Sequence, residues 1–144
     1  MILLDINVVS AVMLRRPDPA VVAWLDRTNP RQVWLPSVVL LELRYGAAIH
    51  PDASRRRKLE LGLHRLITEM IQERIAPPDG RAAQQATLLA AQRKTQGRSM
   101  DLRDTLIAGI AMANEAQLAT RNVGHFSDTI ICLINPFATD PHSG

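Results

Sequence analysis

The sequence predicts an α/β fold in three layers, with a small central parallel sheet covered on both faces by helices. Three observations carry that prediction. Short apolar runs at residues 2–4, 33–35, 118–120 and 130–134 read as buried strands. The segments between them have helical periodicity and helix-start residues, so strands and helices alternate with an excess of helix. Finally, 144 residues with 47% apolar and 22% charged side chains have the composition of one globular domain with a core of its own.

The first strand, Ile2 to Leu4, runs into Asp5 and then an apolar stretch that reads as helix. Asp18-Pro19 opens a second helix with Pro at its first position, which continues through Trp24 and Leu25 to a "TNP" stop. After the strand at 33–35, Pro36-Ser37 starts a helix in which Val38, Leu41, Tyr45 and Ile49 recur on one face until "HPD" breaks it. Residues Asp52 to Ser54 cap the next helix, which carries Leu59, Leu63, Leu66 and Ile67. A short strand is expected around Ile75. "PPDG" then separates it from an Ala-rich helix over 81–96, which Asp79 starts. "TQGRS" is a loop, and a last helix runs from Met100 through Ala113. The polar end "FATDPHSG" reads as a frayed tail, so the domain is expected to span 1–137 and the tail 138–144.

Composition also excludes function classes. A single cysteine, Cys132, cannot form an internal disulfide and points to a reducing compartment. No basic leader precedes the first apolar run, and nothing approaches the ~18 uninterrupted apolar residues of a membrane span. A cytoplasmic protein without membrane association is therefore expected. The net charge of +3 is a modest preference for polyanions such as nucleic acid. Its basic residues lie in polar stretches and look dispensable for folding. The aromatics Trp24, Trp34, Tyr45, Phe126 and Phe137 are too scattered for a base-stacking platform, so any nucleic acid would be met at its backbone.

Three acids stand in apolar surroundings. Asp5 ends the first strand, Glu42 interrupts "VVLLELRYG" beside the face expected to enter the core, and Asp104 lies in the first turns of "SMDLRDTLIAGIAMA". A solitary carboxylate in such company is costly unless it is paired or bound to metal. All three fall where the carboxyl edge of the sheet should be, the usual place for chemistry in open α/β sheets. Convergent carboxylates suit a hard divalent cation, Mg²⁺ or Mn²⁺. Taken singly, each acid has a plainer reading: Asp5 as an N-cap, Glu42 as a partner of Arg44 or another base, Asp101 and Asp104 as helix-start acids. The histidines His50, His64, His125 and His142 form no ligand motif, and no spacing suggests zinc.

"LLDINV", "LLELRYG", "GRSMDLRDTLIAGIA", "LATRNVGHF" and the final "LINPF", in that order over nearly the whole chain, closely resemble the PIN-domain ribonucleases, specifically VapC-type toxins of type II toxin-antitoxin modules. The resemblance implies a PIN-like α/β/α sandwich, with Asp5, Glu42 and Asp104 matching three acids around Mg²⁺ or Mn²⁺, and metal-dependent hydrolysis of RNA. It also implies a cognate antitoxin that places a basic side chain in the acidic pocket. A homodimer, a toxin-antitoxin hetero-oligomer and operator DNA bound only through the antitoxin follow in the same way. Two departures matter. The family commonly has Thr where Ile6 stands, and its fourth acid falls in "TRNVGHF", where this chain offers Asn122 and His125. Asn122 joins the catalytic candidates through its amide oxygen, while Asp101 reads as a helix-start acid.

Beside the expected site, Arg121, Thr120 and Asn7 are candidate RNA contacts, Asn7 also as a cap of the first helix or a support of Asp5. "RRRK" at 55–58, Arg15, Arg16 and Arg98 read first as solvated charge. The apolar faces of Val38 to Ile49 and Leu59 to Ile71 can serve core, dimer or antitoxin. The competing reading is a catalytically weakened PIN domain that acts as a binding partner. A phospho-acceptor receiver domain would need a second acid beside Asp5 and a Lys at the end of the last strand, and neither is present.

Overall fold

A computed structural model describes residues 1–138. The predicted tail, apart from Ala138, lies outside the described residues. Five strands, β1 (Ile2–Leu4), β2 (Val33–Pro36), β3 (Ile75–Ala76), β4 (Gln117–Ala119) and β5 (Leu133–Ile134), form one parallel sheet in the order β3-β2-β1-β4-β5. Leu3 pairs with Trp34 on one side and Leu118 on the other, so β1 is central. Leu3, Leu4, Leu35, Leu118 and Ala119 are wholly buried, as strands covered on both faces must be.

The helices are α1 (Ile6–Met13), α2 (Pro19–Asp26), α3 (Ser37–Ala48), α4 (Ala53–Arg65), α5 (Gly80–Thr95) and α6 (Leu102–Ala113). The chain moves outward from β1 to β2 to β3, then crosses back to β4 on the other side of β1. Right-handed crossovers in opposite directions put α1 to α4 on one face and α5 and α6 on the other. Helices α3 and α6 touch each other, and within the layers α1 meets α2 and α3, α3 meets α4, and α5 lies along α6. That last contact is so close that Gly109 has no room for a side chain, since a Cβ there would meet the Ala82 carbonyl oxygen and come within 2.9 Å of the Ala86 Cβ.

The caps explain the helix starts. Asp18, Asp52, Asp79 and Asp101 each accept backbone N–H bonds from the turn they open. Asp101 is thus the helix-start acid expected, and α6 begins at Leu102 rather than Met100. Helix α4 passes into a π-wound segment, Leu66–Ile71, which Gln72 (φ 51°) and Glu73 (φ 62°) end in the left-handed region before β3.

Three expectations are corrected. The stripe Leu41, Tyr45 and Ile49 of α3 is exposed, at 67%, 63% and 59%, whereas Val39 and Ala47 are buried and Leu43 packs on the core. Helix α3 is apolar on two adjoining stripes, and the sheet beneath selects the one in phase with Val39. The last strand is only Leu133–Ile134, because Ile130 is 92% exposed and cannot reach β4. Several arginines also build the fold. Arg74 donates to the carbonyl oxygens of Val33, Pro30 and Met70, Arg81 donates to that of Ala113, and Arg93 is buried. Five donors in one planar group satisfy carbonyls that apolar side chains cannot.

Candidate active site

The order of the strands places the topological switch point between β1 and β4, where ligands of open α/β sheets bind. Asp5 follows β1 there and Thr120 follows β4. Asp5 is wholly buried, yet every oxygen of its carboxylate is used. Its Oδ1 accepts from the Ile6 amide at 2.8 Å, which makes it the N-cap of α1, and its Oδ2 accepts from Thr120 Oγ1 at 2.8 Å. Capping and a place in the acidic cluster are therefore compatible roles.

Glu42, in the second turn of α3, and Asp104, in the first turn of α6, arrive from opposite layers. The Asp101 cap receives the Asp104 amide at 2.9 Å and so fixes the turn that carries Asp104. All three acids converge on one guanidinium. Arg103 Nε donates to both oxygens of Glu42 at 2.8 Å each, Nη1 to Asp104 Oδ1 at 2.7 Å, and Nη2 to Asp5 Oδ1 at 2.5 Å. Burial would lower the Arg103 pKa, but hydrogen bonds and charge from Glu42 and Asp5 outweigh it and hold the pKa above its ordinary value. Of the basic partners the plainer reading allowed Glu42, Arg44 is exposed and takes no part in the cluster, and Arg103 takes the place.

The second oxygen of Asp104 lies 3.1 Å from His125 Nδ1, in the 3₁₀ turn Val123–His125. His125 is 58% exposed but not adrift, since Phe126 beside it is fully buried and Arg93 Nη2 donates to the His125 carbonyl at 2.9 Å. Arg93 also donates twice to Asp128, and Arg98 adds a third bond at 2.7 Å. These guanidinium bonds, opposed by partial burial, pull the Asp128 carboxyl down to about 2. Asp128 thus pins the turn to α5 and does not supply the missing fourth acid.

The remaining candidates take different places. Thr120 is wholly buried, with its hydroxyl donating to Asp5 and accepting from the Asn122 amide at 3.0 Å, so it stands behind the acid and not on a surface that RNA would touch. Asn7 lies inside α1 and does not cap it. Its Oδ1 accepts from the Arg121 amide at 3.0 Å, tying the loop after β4 to α1. Arg121 is exposed at the rim, its guanidinium 4.0 Å from the Phe137 ring centre. Asn122 is also exposed, and the group that reaches Asp104 from this segment is His125.

The structure brings the three acids that sequence reasoning singled out to one place. His125, named there beside Asn122 but passed over in its favour, joins them through Asp104, and Arg103 and Arg93 were missed. A lone Arg between two acids at a helix start looks solvated, and only its 28% exposure and four bonds distinguish it. The donor chemistry fits a hard divalent cation, with oxygen ligands from three elements meeting at one positive centre. The spacing is that of a guanidinium, and among the described residues no three His, Cys, Asp or Glu side chains close to a metal-holding group.

A parallel α/β sandwich with three carboxylates at its switch point defines an acidic-pocket α/β domain, the architecture that the sequence predicted. The PIN domain model matches residues 2–129. A VapC ribonuclease of Sinorhizobium fredii, Y4jK, is 34% identical over 95% of this chain and 98% of that protein. The toxin FitB of Neisseria gonorrhoeae is 32% identical over 95% of this chain and 99% of its own length. The solved structure of FitAB bound to an IR36 DNA fragment superposes with a TM-score of 0.88 at 30% identity, covering 99% of each chain. The chain belongs to the PIN-domain family.

Proposed function

We infer that this chain is a Mg²⁺- or Mn²⁺-dependent endoribonuclease acting as the toxin of a toxin-antitoxin module. The observation that carries the reading is the convergence of Asp5, Glu42 and Asp104 from three elements on one cationic centre at the switch point. The names of the VapC ribonuclease and the FitB toxin, matched over nearly their whole lengths, support it.

Asp5, Glu42 and Asp104 would hold the cation. When bound, it supplies Lewis-acid stabilisation of charge developing on a phosphodiester and a more acidic water as nucleophile. The protein's own part is positional. Thr120 Oγ1 and the Ile6 amide fix the two oxygens of Asp5, Asp101 fixes the turn under Asp104, and Arg93 fixes the turn that presents His125. Arg121, exposed in the loop after Thr120, would be the side chain that meets an RNA phosphate.

Partners follow from the same reading. A groove of about 300 Å³, lined by Ile6, Met13, Leu43, Ala47, Leu59 and Leu63, has Glu42 in its wall. It suits an apolar antitoxin segment that carries a basic residue into the acids. The FitAB complex on DNA supports a hetero-oligomer that meets operator DNA through the antitoxin, and the exposed stripe of α3 leaves an apolar face for a homodimer. No helix of the described residues is long and apolar enough to cross a membrane.

Arg103 favours the second reading, a PIN domain whose weakened site serves binding, because the acids already have a counter-ion. Purified chain incubated with cellular RNA distinguishes the two. Cleavage with Mg²⁺ or Mn²⁺ that stops in EDTA and is abolished by Asp5→Asn and by Asp104→Asn is the expected result. Cleavage that persists in EDTA or in those variants removes the nuclease reading, and its absence under all conditions leaves the binding one.

A further inference from the structure

Arg103 stands in the first turn of α6, directly before Asp104, and each of its three guanidinium nitrogens is spent on a different acid. No other side chain of the described residues touches all three. The bonds to Glu42 and Asp104, at 2.7 to 2.8 Å, lie in the range of charge-assisted pairs, and the one to Asp5 is shorter still at 2.5 Å.

A guanidinium and a small divalent cation make different demands on the same oxygens. Mg²⁺ draws its ligands to roughly 2.0–2.1 Å of a single point. The Arg103 fork instead holds the oxygens on three separate nitrogens, and among the described residues the acids do not close to a metal-holding group as they stand. The two occupants exclude each other. Arginine does not lose its proton at any working pH, so Arg103 leaves the acids only by being displaced. Its side chain is 28% exposed, so it already borders solvent.

We propose that Arg103 is an intrachain counter-ion that competes with the divalent cation for Asp5, Glu42 and Asp104, so that cation uptake requires Arg103 to swing out of the pocket. The proposal rests on the reading of these acids as the metal site. It makes Arg103 a positioning and gating residue. In the cation-poor chain its single charge offsets part of the repulsion among three gathered carboxylates, and once displaced it would leave a positive group at the mouth where a phosphate would enter.

The test is Mn²⁺ binding by the full chain, followed by calorimetry or by the loss of the free-Mn²⁺ paramagnetic resonance signal. The variants are Arg103→Gln, Arg103→Lys and Asp104→Asn. Removing a competitor raises apparent affinity by the fraction of time the site was blocked, so Arg103→Gln is expected to bind at least about tenfold more tightly than the parent. Arg103→Lys, which keeps charge but loses the fork, should fall between them. Equal or weaker binding by Arg103→Gln overturns the proposal. If Asp104→Asn abolishes uptake at the same time, the metal site stands and only the competition falls. If Asp104→Asn leaves uptake unchanged, or no protein takes up Mn²⁺, the metal site itself falls and the proposal with it. A second measurement needs no variant that must fold. The Arg103 Nε–H resonance of the parent, held by Glu42, should move toward a free guanidinium as Mg²⁺ saturates the site. A resonance unchanged while the Asp104 amide reports saturation overturns the proposal.

Discussion

At the scale of single residues, the site is built from groups whose neighbours leave them little freedom. Asp5 shows this best, since a buried carboxylate is tolerable only if its oxygens are satisfied, and Ile6, Thr120 and Arg103 satisfy them. Thr120 is the informative one of the three because it touches neither solvent nor substrate space. Replacing it with Val keeps the shape, removes the Oδ2 donor and leaves the Asn122 amide without its acceptor. Partners that orient a metal-binding carboxylate typically carry about 10–100-fold in metal affinity or activity. On the proposed function, with Asp5 as a metal ligand, Thr120→Val is therefore expected to lower the RNA cleavage rate within that range. Its hold on RNA, measured by fluorescence anisotropy on an Asp104→Asn background, should stay unchanged. A parallel loss of RNA binding would return Thr120 to the substrate surface.

At the scale of elements, the acids were legible because an Asp or Glu inside an apolar run demands a reason, whereas Arg103, beside Asp104 at a helix start, reads as an ordinary solvated base, and the choice between Asn122 and His125 depends on how their turn folds. The phase of α3 was illegible for a related cause: Val38, Leu41, Tyr45 and Ile49 make as good a stripe as Val39, Leu43 and Ala47, and only the sheet decides. The turn that carries His125 depends on tertiary contacts that local sequence does not express. It is fastened by Asp128 to Arg93 of α5 and to Arg98 in the loop after it, and that fastening has a pH signature. The Asp128 carboxyl is held down at about 2 in the folded chain, below the ordinary 3.8. Its stabilisation is thus complete above the unfolded value and is lost as pH falls from about 4 toward 2. With a quarter of the side chain exposed, solvent screening reduces the effect to about 1–2 kcal/mol. Asp128→Asn should lower the Tm at pH 7 and narrow its gap to the parent as pH drops through that window. A constant gap in thermal melts between pH 7 and 2.5 would show that the pair does not stabilise the fold.

At the scale of the whole molecule, the alternation of strands and helices was enough to give the parallel sandwich, because an open parallel sheet with right-handed crossovers has few ways to cover both faces. What that topology does to charge could not be read from the net value of +3. Three acids are gathered into one pocket at the switch point and closed over by Arg103, so the rest of the surface is more basic than the net charge suggests. Arg121 at the rim and the run Arg55 to Lys58 at the start of α4 belong to that outer field. A polyanion should therefore be drawn by the surface and cut, on the proposed function, at the pocket. Each phosphate neutralised releases counterions, so two or three contacts to single-stranded RNA predict about a tenfold loss of affinity between roughly 50 and 200 mM salt. Binding of a fluorescent RNA to the Asp104→Asn chain over that range measures the slope directly, and Arg121→Gln should make it shallower by about one contact. Affinity that does not change with salt would mean that RNA is not held by its backbone, and would move recognition from this basic surface to bases.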